Sequence, residues 1–286
     1  MYPYKLSVLI TTYNHEKYLA EAIESILLQK VNFPFEILIA DDSSTDATPK
    51  IALSYQKKHP EIKIIPSHKN LGITKNLHHS LTQCTGEFIA ILEGDDYWIS
   101  PHKLQRQVEF LEKHPSLSMC FNGILILDKE NLYREHHTGL QCKNNFVSTQ
   151  ELVLSNIIGN FSACMYRHDI IKKLPVEIYE VFTVDWMFNL ACSEFGLLGR
   201  IPTQMTAYRI QGQGVWSSTS ERTQILKTLN IIPTYDALLK HKYTNEFKRT
   251  TKKLKEALAN IDPTFLTKLK RIYKKIIKKV LNCYVI

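Results

Sequence analysis

Three carboxylates occupy four positions at Glu93-Gly94-Asp95-Asp96. Adjacent acids repel one another unless a cation or a hydrogen-bond network offsets their charge. A hard divalent ion such as Mg²⁺ needs only one or two protein carboxylates when phosphates and waters complete its shell. The stretch therefore has the donors for a metal-held phosphate, or it is a solvated acidic turn that caps the helix after Ser100-Pro101. A second acidic group stands at Asp41-Asp42, and a polar cluster at Thr11-Thr12-Tyr13-Asn14. Asp185 lies alone among apolar residues in Thr183-Val184-Asp185-Trp186-Met187-Phe188. It has the placing of an acid favoured at a helix N-terminus by ~0.3–1 kcal/mol.

Each of these groups follows an apolar run that must position it. Phe88 to Leu92 is five apolar residues ending at Gly94, too short for a free-standing helix and suited to a strand buried on both faces. Leu6 to Thr11 and Phe35 to Ala40 read the same way, with a short third strand at Ile62 to Ile65. Between them come helical patterns: Tyr18, Leu19, Ala22, Ile23, Ile26 and Leu27 with Asn14 as N-cap, one running to about Lys58, and one over residues 74–83. Alternating strands and helices with short loops predict a parallel sheet covered on both faces. In such a sheet, ligands bind at the strands' C-terminal ends, and every polar cluster falls there. Further on, Pro101 to His114 predicts a helix with Pro at N1, Leu117 to Asp128 a strand, and residues 129–147, including His136-His137, an exposed loop. Ser148-Thr149-Gln150-Glu151 opens a helix with a capping box. Asn160 to Tyr166 reads as a strand, and Asp185 as the first turn of a helix.

Composition is that of an ordinary globular chain: 286 residues, 44% hydrophobic and 22% charged. No run of 18 apolar residues marks a spanning helix. Met1 to Leu6 runs straight into a strand without the basic, apolar and small-residue regions of a signal peptide. Six scattered cysteines with no CxxC fit reduced thiols in the cytosol. No G-x-G-x-x-G or G-x-x-x-x-G-K-[ST] is present, which argues against dinucleotide and P-loop enzymes. The net charge of +8 is unevenly spread. Residues 240–279 hold 14 Lys and Arg against 3 acids, a local +11, while the remainder is −3. Leu269, Ile272, Tyr273, Ile276, Ile277, Val280 and Leu281 make one apolar stripe opposite a wholly basic face. That pattern fits an in-plane helix on an anionic membrane, or a helix packed on the body.

Ser7-Val8-Leu9-Ile10-Thr11-Thr12-Tyr13-Asn14, Glu36 to Asp46, Asn70-Leu71-Gly72 and Glu93-Gly94-Asp95-Asp96, in that order and spacing, resemble the family 2 glycosyltransferases of the GT-A fold. The likeness is strongest over the first ~100 residues and continues more weakly to about Trp216. It implies that Thr11 and Tyr13 line a nucleotide pocket, with the ring of Tyr13 against the base. It also implies that Asp42 accepts a hydrogen bond from the base, and that Asp95 and Asp96 hold ribose and metal. The chemistry agrees independently, since aromatic faces stack on nucleobases and a carboxylate pairs with an imide N–H such as that of uracil. Plainer roles stay open: Tyr13 as a core ring, Asp42 as a helix N-cap. Asn70, Gly72 and, more weakly, Lys75 join the nucleotide side by resemblance. Asp185 falls in a segment similar to the family's base-bearing helix, beside Trp186. Glu93 stands where the family often has Asp, and Gln211 where related chains often have His. Trp216, behind two glycines, reads as a flap residue or a core residue.

The sequence thus predicts a GT-A catalytic domain over 1–216, with a nucleotide-binding half (1–98) and an acceptor half (99–216), followed by a helical basic extension over 217–286. The expected activity is inverting transfer from a nucleotide sugar, a UDP sugar by resemblance, to an acceptor hydroxyl in cell-surface or lipid-linked glycan assembly. Mn²⁺ or Mg²⁺ is the expected cofactor, and the expected place is cytoplasmic, peripheral on the inner face of the membrane through residues 262–286, without nucleic acid. Two rivals remain: a nucleotidyltransferase, which would want a glycine-rich basic loop after the first strand, and a non-catalytic sugar-nucleotide binder, which would not need Asp185.

Overall fold

The computed structural model describes residues 2–127, 133–135, 145–182, 185–210 and 218–261. Contacts divide the chain into two compact units, Met1–Gln211 and Gly212–Ile286. The first unit begins with β1 (Tyr4–Thr12), α1 (Leu19–Leu27), β2 (Phe35–Asp41), α2 (Thr48–Lys58), β3 (Ile62–Ile65), α3 (Ile73–Leu81) and β4 (Gly86–Glu93). β1 pairs in parallel with β2 and with β4, and β2 with β3. Phe88, Ile89, Ala90, Ile91 and Leu92 are fully buried, as expected of a strand covered on both faces. On α1, Leu19, Ala22, Ile23 and Ile26 form the i, i+3, i+4, i+7 stripe and share one core with Leu6, Val8 and Ile10 of β1. Burying each Leu or Ile side chain stabilises the fold by about 1.5–3 kcal/mol.

The chain continues through β5 (Tyr97–Trp98), α4 (Lys103–Lys113), β6 (Met119–Leu127), β7 (Tyr133–Glu135), β8 (Phe146–Val147), α5 (Thr149–Leu154), β9 (Cys164–Arg167), α6 (His168–Ile171), α7 (Asp185–Ser193) and β10 (Leu198–Arg209). The described strands make one mixed sheet in the order β3-β2-β1-β4-β9-β6-β10-β5, with β7 beside β6 and β8 beside β10. Two expectations are corrected here, and one strand is new. Residues 129–147 are not wholly a loop, because β7 and β8 pair antiparallel with β6 and β10. Segments of two or three residues carry no readable period, and their partner strands define them. Asn160 to Tyr166 is not one strand but a 3₁₀ turn, Phe161–Ala163, leading into β9, which lies antiparallel between β4 and β6. β10 has no counterpart among the sequence expectations: its pairing with β6 shifts register on either side of Gln204, so no single alternation runs through its twelve residues. His136 and His137 lie outside the described residues.

The second unit shows α8 (Glu221–Leu238) and α9 (Thr244–Ile261). Between them Lys240 and His241 take positive φ, and the Asp236 carboxylate accepts hydrogen bonds from Thr244 Oγ1 at 2.8 Å and 3.0 Å. Among the described residues no helix is long and apolar enough to cross a membrane. The expected amphipathic helix from Leu269 to Leu281 lies outside the described residues.

Candidate functional site

The strand order reverses at β1, with β2 and β3 to one side and β4 to the other. Open α/β sheets bind ligands in the crevice at such a reversal, beyond the strands' carboxyl ends. Thr11 is in register with Glu93, and Thr12 with Asp41, so three polar loops leave the sheet side by side. The Gly94 N–H donates to the Thr11 carbonyl at 2.8 Å and the Asp42 N–H to the Thr12 carbonyl at 2.9 Å.

The loop after β1 is stitched to the loop after β2. Asn14, at φ 55°, accepts from the Thr45 N–H through Oδ1 at 2.8 Å, and its own N–H donates to Ser44 Oγ at 2.8 Å. Asn14 is therefore not the N-cap of α1, which begins five residues later at Leu19. Tyr13 rides on this loop with 44% of its surface exposed, so the core reading of its ring is excluded. Asp42 is 4% exposed, accepting from Leu71 N–H at 2.7 Å and Gly72 N–H at 2.9 Å, while its carbonyl accepts from Asn70 Nδ2 at 3.0 Å. Three expected site residues, Asp42, Asn70 and Gly72, thus form one clasp, and Gly72 supplies the positive φ of 79° that the turn requires. Burial pushes the Asp42 carboxyl upward, the two N–H donors pull it back, and Asp41 adds to the rise. Asp42 does not cap α2, which starts at Thr48. Lys75 is exposed and stands 4.0 Å from Glu180, an exposed pair of little energetic consequence.

The acidic turn separates its carboxylates by function. Asp95 has 18% of its side chain exposed, and His15 Nε2 lies 4.0 Å from its Oδ2. Asp96 is fully buried. Its Oδ2 accepts from Asn160 Nδ2 and Ser162 Oγ, each at 2.6 Å, and its Oδ1 from the Arg209 N–H at 3.0 Å. Asp96, expected beside Asp95 at the metal, thus has both oxygens on protein donors that tie the acidic turn to Asn160, Ser162 and the end of β10. Burial and the neighbouring Asp95 charge hold its pKa well above the carboxylate range. Glu93 is half-buried; its N–H donates to Ser162 Oγ at 3.0 Å, and burial together with Asp96, Asp95 and Asp185 raises its pKa strongly. Gly94 has to be glycine, because a Cβ there would lie 2.7 Å from Thr12 Oγ1 and 3.0 Å from His15 Nδ1.

Asp185 opens α7 as expected, and Asn156 Nδ2 donates to its Oδ2 at 3.0 Å. Burial raises its pKa to about 6, against the pull of Asn156 and the Trp186 backbone. It lies close enough to Glu93 for its charge to lift that carboxyl too. Trp186, expected at the acceptor side, is 6% exposed and donates Nε1 to the Leu152 carbonyl at 2.8 Å, anchoring α7 on α5. Gln211 and Trp216 lie outside the described residues.

Five contributors escaped sequence reasoning: Asn160, Ser162, Asn156, Tyr208 and Arg209. The Tyr208 phenol sits in the field of Glu93, Asp96, Asp95 and Asp185, and burial with those charges raises its pKa. Arg209 donates Nη1 to the Asp95 carbonyl at 2.9 Å, pairs with Glu21, and lays its guanidinium 4.4 Å from the Tyr97 ring centre. Nothing in Met205-Thr206-Ala207-Tyr208-Arg209 marks the last two as site residues. Nothing in Gly159-Asn160-Phe161-Ser162 distinguishes it from a strand entry.

Among the described residues no group of three or more His, Cys, Asp or Glu is gathered to hold a metal. The donor set at the turn is thin: one partly exposed carboxylate with an imidazole nitrogen 4.0 Å away. It fits a divalent ion that takes most of its shell from phosphates and water.

The family model described as glycosyl transferase family 2 matches residues 7–174. An uncharacterized protein of Mycobacterium tuberculosis is 31% identical over 214 residues, covering 74% of this chain and 61% of that protein, under two thirds of its length. Among solved structures, S. aureus TarS 1-349 in complex with UDP-GlcNAc aligns with a TM-score of 0.62 at 21% identity, over 85% of this chain and 72% of that one. The mannosyltransferase PcManGT of Pyrobaculum calidifontis, in complex with GDP-Man and Mn²⁺, aligns with a TM-score of 0.58 at 15% identity, over 96% and 81%. At those identities the two structures establish the fold, a helix-flanked, mostly parallel sheet of the GT-A kind.

Proposed function

The chain belongs to glycosyl transferase family 2, and from that premise we propose that it transfers a sugar from a nucleotide sugar to an acceptor hydroxyl with inversion at the anomeric carbon. The observation that carries the reading is the meeting, at one sheet edge, of the acidic turn with Asp185, whose charge is felt at Glu93. Tyr13, exposed, stacks on the base, and the Asp42–Asn70–Gly72 clasp frames the base's polar edge. UDP is the proposed nucleotide, supported by the S. aureus neighbour's UDP-GlcNAc. Asp95 would hold Mn²⁺ or Mg²⁺, which supplies charge compensation for the departing diphosphate.

Asp185 takes the proton of the acceptor hydroxyl through its carboxylate as that oxygen forms its bond to the anomeric carbon. The bond from that carbon to the phosphate oxygen breaks, and the nucleoside diphosphate leaves with the electron pair. A base with a pKa about 6 is ionised at neutral pH yet basic enough to accept the proton. Asn156 orients it, and Asp96, locked by Asn160, Ser162 and Arg209, fixes the turn that carries Asp95. The acceptor is a glycan or lipid-linked glycan of the cell surface, reached at the inner membrane face through the basic segment 262–286.

Purified protein with Mn²⁺ or Mg²⁺ and a panel of nucleotide sugars tests the reading by released nucleotide. Sensitivity to acceptor and an inverted anomeric signal by NMR are expected. Failure to bind or turn over any nucleotide sugar overturns it.

A further inference from the structure

We propose that His15 is a nitrogen ligand of the divalent cation, sharing it with Asp95. The inference rests on the metal-dependent reading above and adds a residue that neither the acidic motif nor its spacing points to. His15 Nε2 lies 4.0 Å from Asp95 Oδ2, and both side chains are about four-fifths covered, at 21% and 18% exposure. Two donors that far apart can share one ion at the usual bond lengths of about 2.0–2.2 Å only if the ion sits between them.

The backbone that carries the ring is fixed. The His15 N–H donates to Thr48 Oγ1 at 2.8 Å, and its carbonyl accepts from the Tyr18 and Leu19 N–H groups, each at 2.9 Å, so the backbone under the imidazole is pinned. Its Nδ1 is buried without a hydrogen-bond partner, and so is Oγ1 of Thr12, a residue 3% exposed. Both crowd the same side of Gly94, the residue before Asp95. A metal-ligating imidazole keeps its proton on the other nitrogen and gives it to a nearby acceptor, and the Thr12 hydroxyl is an acceptor in the right neighbourhood. A third buried orphan, Asn160 Oδ1, belongs to the residue that bonds Asp96. Unsatisfied polar atoms on both sides of the acidic turn are out of place in a turn that is complete by itself, since such atoms are few in folded proteins.

Electron spin-echo spectroscopy of the Mn²⁺–UDP complex of the full chain reads the ligand directly. Wild type is expected to show ¹⁴N modulation from a bound imidazole, and His15→Ala to lose it, with Mn²⁺ affinity at least about tenfold weaker. His15→Gln, which offers an amide oxygen, should keep part of the affinity without the nitrogen signal. Unchanged melting temperatures show that the fold survives both changes. A Mn²⁺–UDP complex without nitrogen modulation in wild type, or with modulation surviving in His15→Ala, overturns the assignment while leaving metal-dependent nucleotide binding in place. If wild type binds no Mn²⁺–UDP at all, the broader reading fails with it.

Discussion

In the proposed reaction Asp185 accepts a proton at neutral pH, which calls for more basicity than a water-exposed aspartate has, and burial at the head of a helix raises its pKa to about 6. Asp185→Asn should remove turnover while UDP affinity stays within about threefold, because a base acting in the chemical step is felt in the transition state. The wild-type rate should fall on the acid side with a midpoint near the raised value of about 6. The same shift has the opposite sign for stability. A folded-state pKa above the unfolded one means the folded chain holds the proton longer, so this group's contribution declines as pH rises from about 4 to about 6. At pH 8 the Asn variant should therefore be more stable than wild type, by on the order of 1 kcal/mol, in denaturant titrations. Tyr13 poses the reverse case. Its ring is 44% exposed, so Tyr13→Ala should leave the melting temperature unchanged. It should weaken UDP binding by about 1–3 kcal/mol in calorimetry if the ring stacks on the base.

Elements hold these residues through a buried polar network below the site. Lys103 of α4, fully buried, donates to Gln107 Oε1 at 2.6 Å and lies 4.5 Å from the Trp98 ring centre. Gln107 Nε2 donates to the Ala163 carbonyl at 2.9 Å, and Trp98 Nε1 to the Ser162 carbonyl at 2.9 Å, so α4 and β5 brace the turn that grips Asp96. Burial lowers the Lys103 pKa to about 7. The unfolded chain then holds more protons than the folded one from about pH 7 to 10.4, and stability should rise with pH across that window. Lys103→Met should abolish the rise in urea titrations at pH 7 and pH 9. Ser162→Ala leaves the Asp96 carboxyl and the Glu93 N–H without a shared hydroxyl, and should cost about 1–3 kcal/mol of stability. Little of this bracing was legible in the sequence. β1, β2 and β4 announce themselves because a short, uninterrupted apolar run suits a strand covered on both faces. Asn160 and Ser162 do not, because a short 3₁₀ turn has no period and its two hydrogen bonds to Asp96 cross more than sixty residues.

At the scale of the whole molecule, the site is assembled from loops whose polar ends were readable and from a late strand that was not. Register between β1, β2 and β4 brings Thr11, Tyr13, Asp42 and Asp95 to one edge, as alternating strands and helices implied. Which acid of the turn faces outward could not be read, since Asp95 and Asp96 are chemically identical and only Arg209, Asn160 and Ser162 tell them apart. Removing metal with EDTA should weaken UDP binding at least about tenfold, and Asp95→Asn should do the same. Equal affinity with and without EDTA in calorimetry would exclude a metal bridge. The charge of the chain also divides by region, +11 over residues 240–279 against −3 elsewhere. Deleting residues 262–286 should release the protein from anionic vesicles without abolishing nucleotide binding. Each basic residue near such a surface contributes ~1 kcal/mol, and salt weakens the attraction. Co-sedimentation at low and high salt, run beside a melting curve, separates this from a helix that packs on the body.

The closure of Arg209 over the acidic turn has a consequence for the order in which the protein comes into being. Asp96 and the Arg209 N–H that binds it are 113 residues apart, and the Arg209–Glu21 pair spans 188. At synthesis rates of about 5–20 residues per second, the turn leaves the ribosome on the order of ten seconds before its last clamp is made. Through that interval the nascent chain already holds Tyr13, Asp42 and Asp95, but not the strand that fixes Asp95 in place. A product arrested at residue 174 would carry the family-matched sequence with its acidic turn unclamped by Arg209.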